Sequence, residues 1–73
     1  LKRLGKVLHI TRNRLILVQV SSKAVPQIGS YVFDRRNRRI GRVYDIIGPT
    51  KSPFVLIRPL NTIEKLDKEL FVR

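Results

Sequence analysis

Cysteine, methionine and tryptophan are absent from this 73-residue chain, and alanine occurs once, at Ala24. Without cysteine there are no disulfides and no thiolate metal sites, so a fold this small must be held by its core, by a closed sheet or by a partner. The apolar residues are mostly Ile, Val, Leu and Phe, a balance that favours strands over helices. No apolar run approaches the roughly 20 residues needed to span a bilayer, and the opening Leu-Lys-Arg-Leu-Gly-Lys lacks the apolar segment of a signal peptide. A soluble, intracellular protein without membrane contact is expected. Acidic residues are scarce: Asp34, Asp45, Glu64, Asp67 and Glu69 stand against 16 Lys and Arg, for a formal charge of +11. Such a field attracts polyanions, nucleic acid above all. A chain of this length buries about 60% of its unfolded surface, too little for a deep active-site cavity as well as a core. One domain over residues 1–73 is expected, with no small-molecule substrate.

Alternation and turn chemistry divide the chain into short strands at 5–10, 14–20, 31–34, 40–46, 54–58 and 70–72. Residues 11–14 form a polar turn in which Asn13 suits a positive φ, and Asn37 centres a second hairpin turn among arginines. In the second strand Leu15, Leu17 and Gln19 alternate with Ile16 and Val18, so both faces read as buried. Pro59 ends the fifth strand because it cannot donate to a ladder. Residues 61–68 support one helical turn or an irregular loop. Six short strands without a substantial helix predict an all-β, small, closed, six-stranded antiparallel barrel, since closure removes exposed edges.

Catalytic chemistry finds little support. His9 is a single histidine in mid-strand, and no serine has an evident base partner. No cofactor and no metal are expected. Asp34 and Asp45 face each other if the intervening hairpin is symmetric, but five nearby arginines favour charge balance or bonds to turn amides. Arg35, Arg36, Arg38, Arg39 and Arg42 are candidate contacts for RNA or an acidic partner, because planar guanidinium donors match phosphate oxygens in pairs. A solvated turn that blunts a sheet edge accounts for them equally well. The aromatic residues Tyr31, Phe33, Tyr44, Phe54 and Phe71 read mostly as core.

The segment from Gly48-Pro49 to Ser52-Pro53 is more specific. Gly48 permits unusual backbone geometry while Pro49 and Pro53 fix φ, so the corner is shaped before any partner arrives. Around it, Tyr44, Ile46, Ile47, Phe54, Val55, Leu56 and Ile57 exceed what one side of a small barrel buries. That excess marks a protein-binding surface at Ile46, Ile47, Gly48, Pro49, Pro53 and Phe54. The alternative is a bulge at Ile46-Ile47 that turns both inward.

The stretches 25–34, 40–49 and 52–59, with Gly41-Arg-Val-Tyr-Asp-Ile-Ile-Gly-Pro49 and Pro53-Phe54 at their centre, resemble the core domain of the small basic glycine-arginine-rich protein of H/ACA ribonucleoproteins. Leu4-Gly-Lys-Val-Leu8 and Glu69-Leu-Phe-Val72 extend the resemblance over nearly the whole chain. It implies a barrel related to the second domain of translation elongation factors. It also implies an accessory role: binding the catalytic subunit of a pseudouridine synthase and modulating the loop that clasps substrate RNA. Contact with guide RNA and the other core proteins would then be indirect. The residues matching the motif are Gly41, Val43, Asp45, Gly48, Pro49, Pro53 and Phe54. With few glycines and no Gly-Arg-rich flanks, the chain is expected to be a cytoplasmic archaeal protein, or a trimmed core of a nucleolar eukaryotic one. The competing expectation is a direct RNA-binding barrel of a ribosomal or translation-associated protein.

Overall fold

The computed structural model describes residues 1–21, 25–49, 51–62 and 65–73. It has six strands: β1 (Lys2–Ile10), β2 (Ile16–Val20), β3 (Tyr31–Phe33), β4 (Arg39–Ile47), β5 (Phe54–Pro59) and β6 (Glu69–Val72). They close a barrel in the order β1-β2-β5-β4-β3-β6, with every neighbouring pair antiparallel. No helix occurs among the described residues, and the loop after β5 is irregular where it is described. The helical turn expected there falls partly on residues 63 and 64, outside the described residues.

Closure works because each strand supplies at least one aliphatic side chain to a single interior. Leu4, Val18, Val32, Val43, Val55, Ile57 and Leu70 are all buried in one cluster. The aromatics are not part of that cluster. Tyr44 is 48% exposed, Phe33 alone among them is buried, and Tyr31, Phe54 and Phe71 are half-buried. Small branched side chains fill a barrel this narrow, and the larger rings are left to its outside. The expectation that most aromatics serve the core is corrected accordingly.

The β1–β2 and β3–β4 hairpins use the same type of turn. In the first, Thr11 N–H donates to Leu15 O at 2.8 Å and Arg14 N–H to Thr11 O at 2.9 Å. In the second, Asp34 N–H donates to Arg38 O and Asn37 N–H to Asp34 O, both at 3.0 Å. The fourth residue of each turn takes a left-handed conformation, Arg14 at φ 62° and Asn37 at φ 63°. Position in the turn sets this requirement, so Arg14 adopts the positive φ expected of Asn13. In each case the first side chain caps the fifth amide: Thr11 Oγ1 accepts from Leu15 N at 3.1 Å and Asp34 Oδ1 from Arg38 N at 2.9 Å.

Four register shifts make the ladders irregular, at Val7/His9 and Arg3/Gly5 in β1, and at the stretches passing Ile40 and Tyr44 in β4. Each inserts one residue and so inverts the inward-outward parity of the rest of its strand. The strand bounds differ from those expected mainly at β1, where Lys2 and Arg3 also pair with β6, and at β2, which begins at Ile16 because Arg14 belongs to the turn. Pro59 lies within β5 and pairs with Gly41 as its final residue. In β2, Ile16, Val18 and Val20 point inward while Leu17 is half-buried and Gln19 exposed, so that strand is not buried on both faces.

Candidate functional site

The bulge at Tyr44 determines what the glycine-proline corner displays. Val43 pairs with Ile57 on the inside, Asp45 with Leu56 on the outside, Ile46 with Val55 on the inside and Ile47 with Phe54 on the outside. Ile46 accordingly packs against the core and is half-buried, whereas Ile47, 41% exposed, faces solvent. In place of the bulge considered at Ile46-Ile47 there is one two residues earlier, at Tyr44, which turns one isoleucine inward rather than two. Pro53 is also buried, its carbonyl accepting from Val20 N at 3.2 Å. The surface at the corner is left to Ile47, Gly48, Pro49 and Phe54.

Gly48 has φ 90°, and a Cβ placed there would lie 3.0 Å from Phe54 Cδ2. The Phe54 ring thus rests against a position that only glycine fills without strain. Ser52 N–H donates to Pro49 O at 3.3 Å and tightens the corner further. Outward parity carries the apolar surface along the barrel. Leu56 pairs with Leu17 across β5 and β2, and both are half-buried. Ile47, Phe54, Leu56 and Leu17 form one outer apolar stripe; sequence counted Leu56 in the apolar excess but placed neither it nor Leu17 among the docking residues. The mixed pattern of β2 was the available signal.

The arginines expected to act as one cluster are divided among three tasks. Arg38 Nε donates to Asp34 Oδ2 at 2.8 Å. Arg39 and Arg42 lie over the Tyr31 ring, 4.2 and 4.7 Å from its centroid. Arg35 and Arg36 are exposed at the turn, where their backbone amides donate to Asp67 Oδ2 and Asp34 Oδ1, both at 2.9 Å. Further guanidinium groups cover aromatic rings elsewhere, Arg58 over Tyr44 at 4.7 Å and Arg73 over Phe33 at 4.4 Å.

Asp34 and Asp45 do not meet. Tyr31 pairs with Arg42, and Asp45 lies beyond the end of β3, opposite Leu56. Asp45 Oδ1 accepts from Ile46 N at 2.8 Å, and Asp34 organises its own turn. Burial of Asp34 pushes its carboxyl upward, but hydrogen bonds from the Arg38 amide, the Arg38 guanidinium and the Arg36 amide, with the Arg38 charge, outweigh it and hold the pKa below the ordinary value. A depressed folded-state pKa contributes stability that is fully present above the unfolded value of about 3.9 and is lost as pH falls through the folded one. Asp34→Asn should therefore flatten the acid limb of the stability curve below about pH 4 and lower stability at pH 7 by roughly 1–3 kcal/mol. Urea midpoints at pH 7 and pH 3 check this, and equal pH responses of the two proteins would contradict it. Arg38→Ser should share the loss at neutral pH, unlike Arg35→Ser, whose side chain holds nothing in the turn.

Fold and surface define a class: a small, strongly basic β-barrel with guanidinium-covered rings and an apolar stripe on its outside. The chain belongs to the Gar1/Naf1 RNA binding region family, whose model matches residues 1–72. The resemblance carried by the corner motif is borne out by that match. The chain is also 36% identical over 63 residues to an uncharacterized protein of Methanothermobacter thermautotrophicus, covering 86% of this chain and 66% of the relative. A second uncharacterized protein, from Methanocaldococcus jannaschii, is 36% identical over 56 residues, covering 77% of this chain and 65% of the relative. The chain therefore spans just under two thirds of the length of these relatives.

Proposed function

We propose that residues 1–73 act as one barrel domain and serve as a non-catalytic subunit of an H/ACA RNA-guided pseudouridylation ribonucleoprotein. In this reading the domain docks on the catalytic subunit of the pseudouridine synthase, influences the loop that holds substrate RNA, and so aids turnover in rRNA processing. Guide RNA and the other core proteins share the particle, and the isomerisation is carried out by the synthase. Archaeal relatives support a cytoplasmic archaeal setting.

The observation that carries the proposal is the family match over residues 1–72. The corner supplies a physical means of docking. An apolar stripe ending at a glycine-proline turn presents dehydratable surface in a shape fixed before contact, so little conformational freedom is lost on association. Calorimetric titration of the chain into the synthase subunit, followed by multiple-turnover assays with and without the chain, tests the reading. Binding with faster turnover is expected; no association would overturn it. Pro49→Ala should weaken binding about two- to fivefold, the value of roughly 0.4–1 kcal/mol of lost stiffness. Undiminished affinity in the same titration would show that this proline does not preshape the corner.

A second reading, a direct RNA-binding barrel of a ribosomal or translation-associated protein, is favoured by the guanidinium groups over Tyr31. Tight, steeply salt-dependent binding to RNA in the absence of any protein, together with no affinity for the synthase, would select it.

A further inference from the structure

We propose that the groove between β3, the end of β6 and residues 25–27 is a binding site for single-stranded RNA. The groove has a volume of ≈ 470 Å³, and Lys2, Val25, Pro26, Tyr31, Phe33, Arg39 and Arg73 are among its walls. Its charge is of one sign. No carboxylate lines it among the described residues, whereas the hollows near the second hairpin contain Asp34, or Asp34 with Asp67.

The groove's cations are also shaped for more than attraction. Register places Arg42 opposite Tyr31, and Arg39 and Phe71 on either side of Phe33, on one outer face. Arg39 and Arg42 lie over Tyr31, Arg73 lies over Phe33, and Arg42 is fixed by donating its Nε–H to Gly29 O at 3.1 Å. A guanidinium plane held against a ring keeps its edge donors for phosphate and offers a flat surface to an unpaired base. Lys2 adds a charge without a planar requirement. A duplex conceals its base faces, so this arrangement selects a single strand. The exposed Arg35 and Arg36, by contrast, are in a turn whose amides bond Asp67 and Asp34, and neither guanidinium is among those that cover an aromatic ring.

The site is independent of the docking surface proposed above. The two share only β4 and use its opposite ends, Arg39 as its first residue in the groove and Ile47 as its last in the stripe, so an RNA in this groove leaves the apolar stripe free.

Two doubly substituted proteins of identical net charge provide the test: Arg39→Gln with Arg73→Gln, and Arg35→Gln with Arg36→Gln. Fluorescence anisotropy with a labelled single-stranded RNA dodecamer, over a series of salt concentrations, is the readout, with thermal melts confirming the fold. The groove variant should lose at least about tenfold in affinity and show a salt slope shallower by about 1.4, two phosphate contacts' worth. The turn variant should lose less than about threefold. Tyr31→Leu, which changes no charge, should reduce affinity for the single strand about fivefold or more and narrow its preference over a duplex of the same length. Ultraviolet crosslinking of the unsubstituted chain should label the peptides containing Tyr31 and Phe33, which keeps the test valid if a variant unfolds. Equal losses in the two charge-matched variants, equal binding of single strand and duplex, crosslinks confined to residues 35–38, or displacement of RNA by an acidic peptide at similar concentration would each overturn the proposal.

Discussion

Gly5→Ala is expected to remove most of the chain's stability. A Cβ at this buried position would lie 2.0 Å from the carbonyl oxygen of Gln19, 2.8 Å from its carbonyl carbon and 3.0 Å from Val20 Cα. All three are backbone atoms of β2, so no side chain can rotate to relieve the overlap. Either β1 and β2 separate or the bulge between Arg3 and Gly5 is lost, and both break the closed ladder. Gly41 is held in the same way, with a Cβ there 2.4 Å from Arg58 O. Overpacking a compliant core costs about 1–3 kcal/mol, and a clash with backbone on a paired strand exceeds that range. A domain of 73 residues has roughly 4–11 kcal/mol in total at the usual figure per residue. Thermal melts followed by far-ultraviolet dichroism should show either substitution unfolded or destabilised by at least about 3 kcal/mol. Gly29→Ala is the comparison. Its φ is +93° but nothing lies within 4 Å of its Cβ, so only backbone strain of about 1 kcal/mol is expected. Similar melting temperatures for all three variants would contradict the register described for β1 and β4.

Ile47→Asp is expected to have the largest effect on partner binding with little effect on the fold. Ile47 is 41% exposed and pairs with Phe54 on the outer face, so a carboxylate there stays hydrated in the free protein. In a docked complex the same carboxylate must be desolvated against an apolar surface without a partner charge. An interface centred on this stripe should lose about 2–4 kcal/mol, roughly a 30- to 1000-fold drop in affinity for the synthase subunit. Ile28→Asp, at a 65% exposed position that is not part of the stripe, should bind normally. Phe54→Ala should weaken binding comparably, but its ring also packs beside Gly48, so some of its effect will emerge as lost stability. Equal affinities for the Ile47→Asp and Ile28→Asp proteins would remove the stripe from the interface.

Much of this architecture is written in local chemistry. The second hairpin turn, the positive φ at Asn37 and the closure of six short antiparallel strands all arise from residue types at short range. Strict alternation does not reveal a bulge. Nothing in Val43-Tyr44-Asp45 identifies Tyr44 as the inserted residue, yet that insertion turns Ile46 inward and Ile47 outward. The proposed docking surface was placed at the corner by its glycine and prolines, whereas which side chains face outward there depends on parity. Pro53 is buried and Ile46 turns toward the core, while Leu56 and Leu17 pair on the outer face. The arginines divide differently from their sequence grouping for a related reason. They are adjacent along the chain, but Asp34 draws Arg38 into the turn, while register carries Arg39 and Arg42 to Tyr31. Asp34 and Asp45 are separated by the same register. Charge alone indicated a polyanion, and only the cross-strand pairs show where cations and rings coincide.

The outer stripe from Leu17 to Ile47 is, on this reading, the surface that meets the synthase. Isotopically labelled chain titrated with the unlabelled catalytic subunit, read by amide and methyl resonances, tests this directly. The predicted result is perturbation and broadening concentrated at Leu17, Ile47, Gly48, Phe54 and Leu56, with Tyr31 and Phe33 little changed. Saturable binding with those signals unperturbed and the shifts gathered elsewhere on the barrel would contradict it.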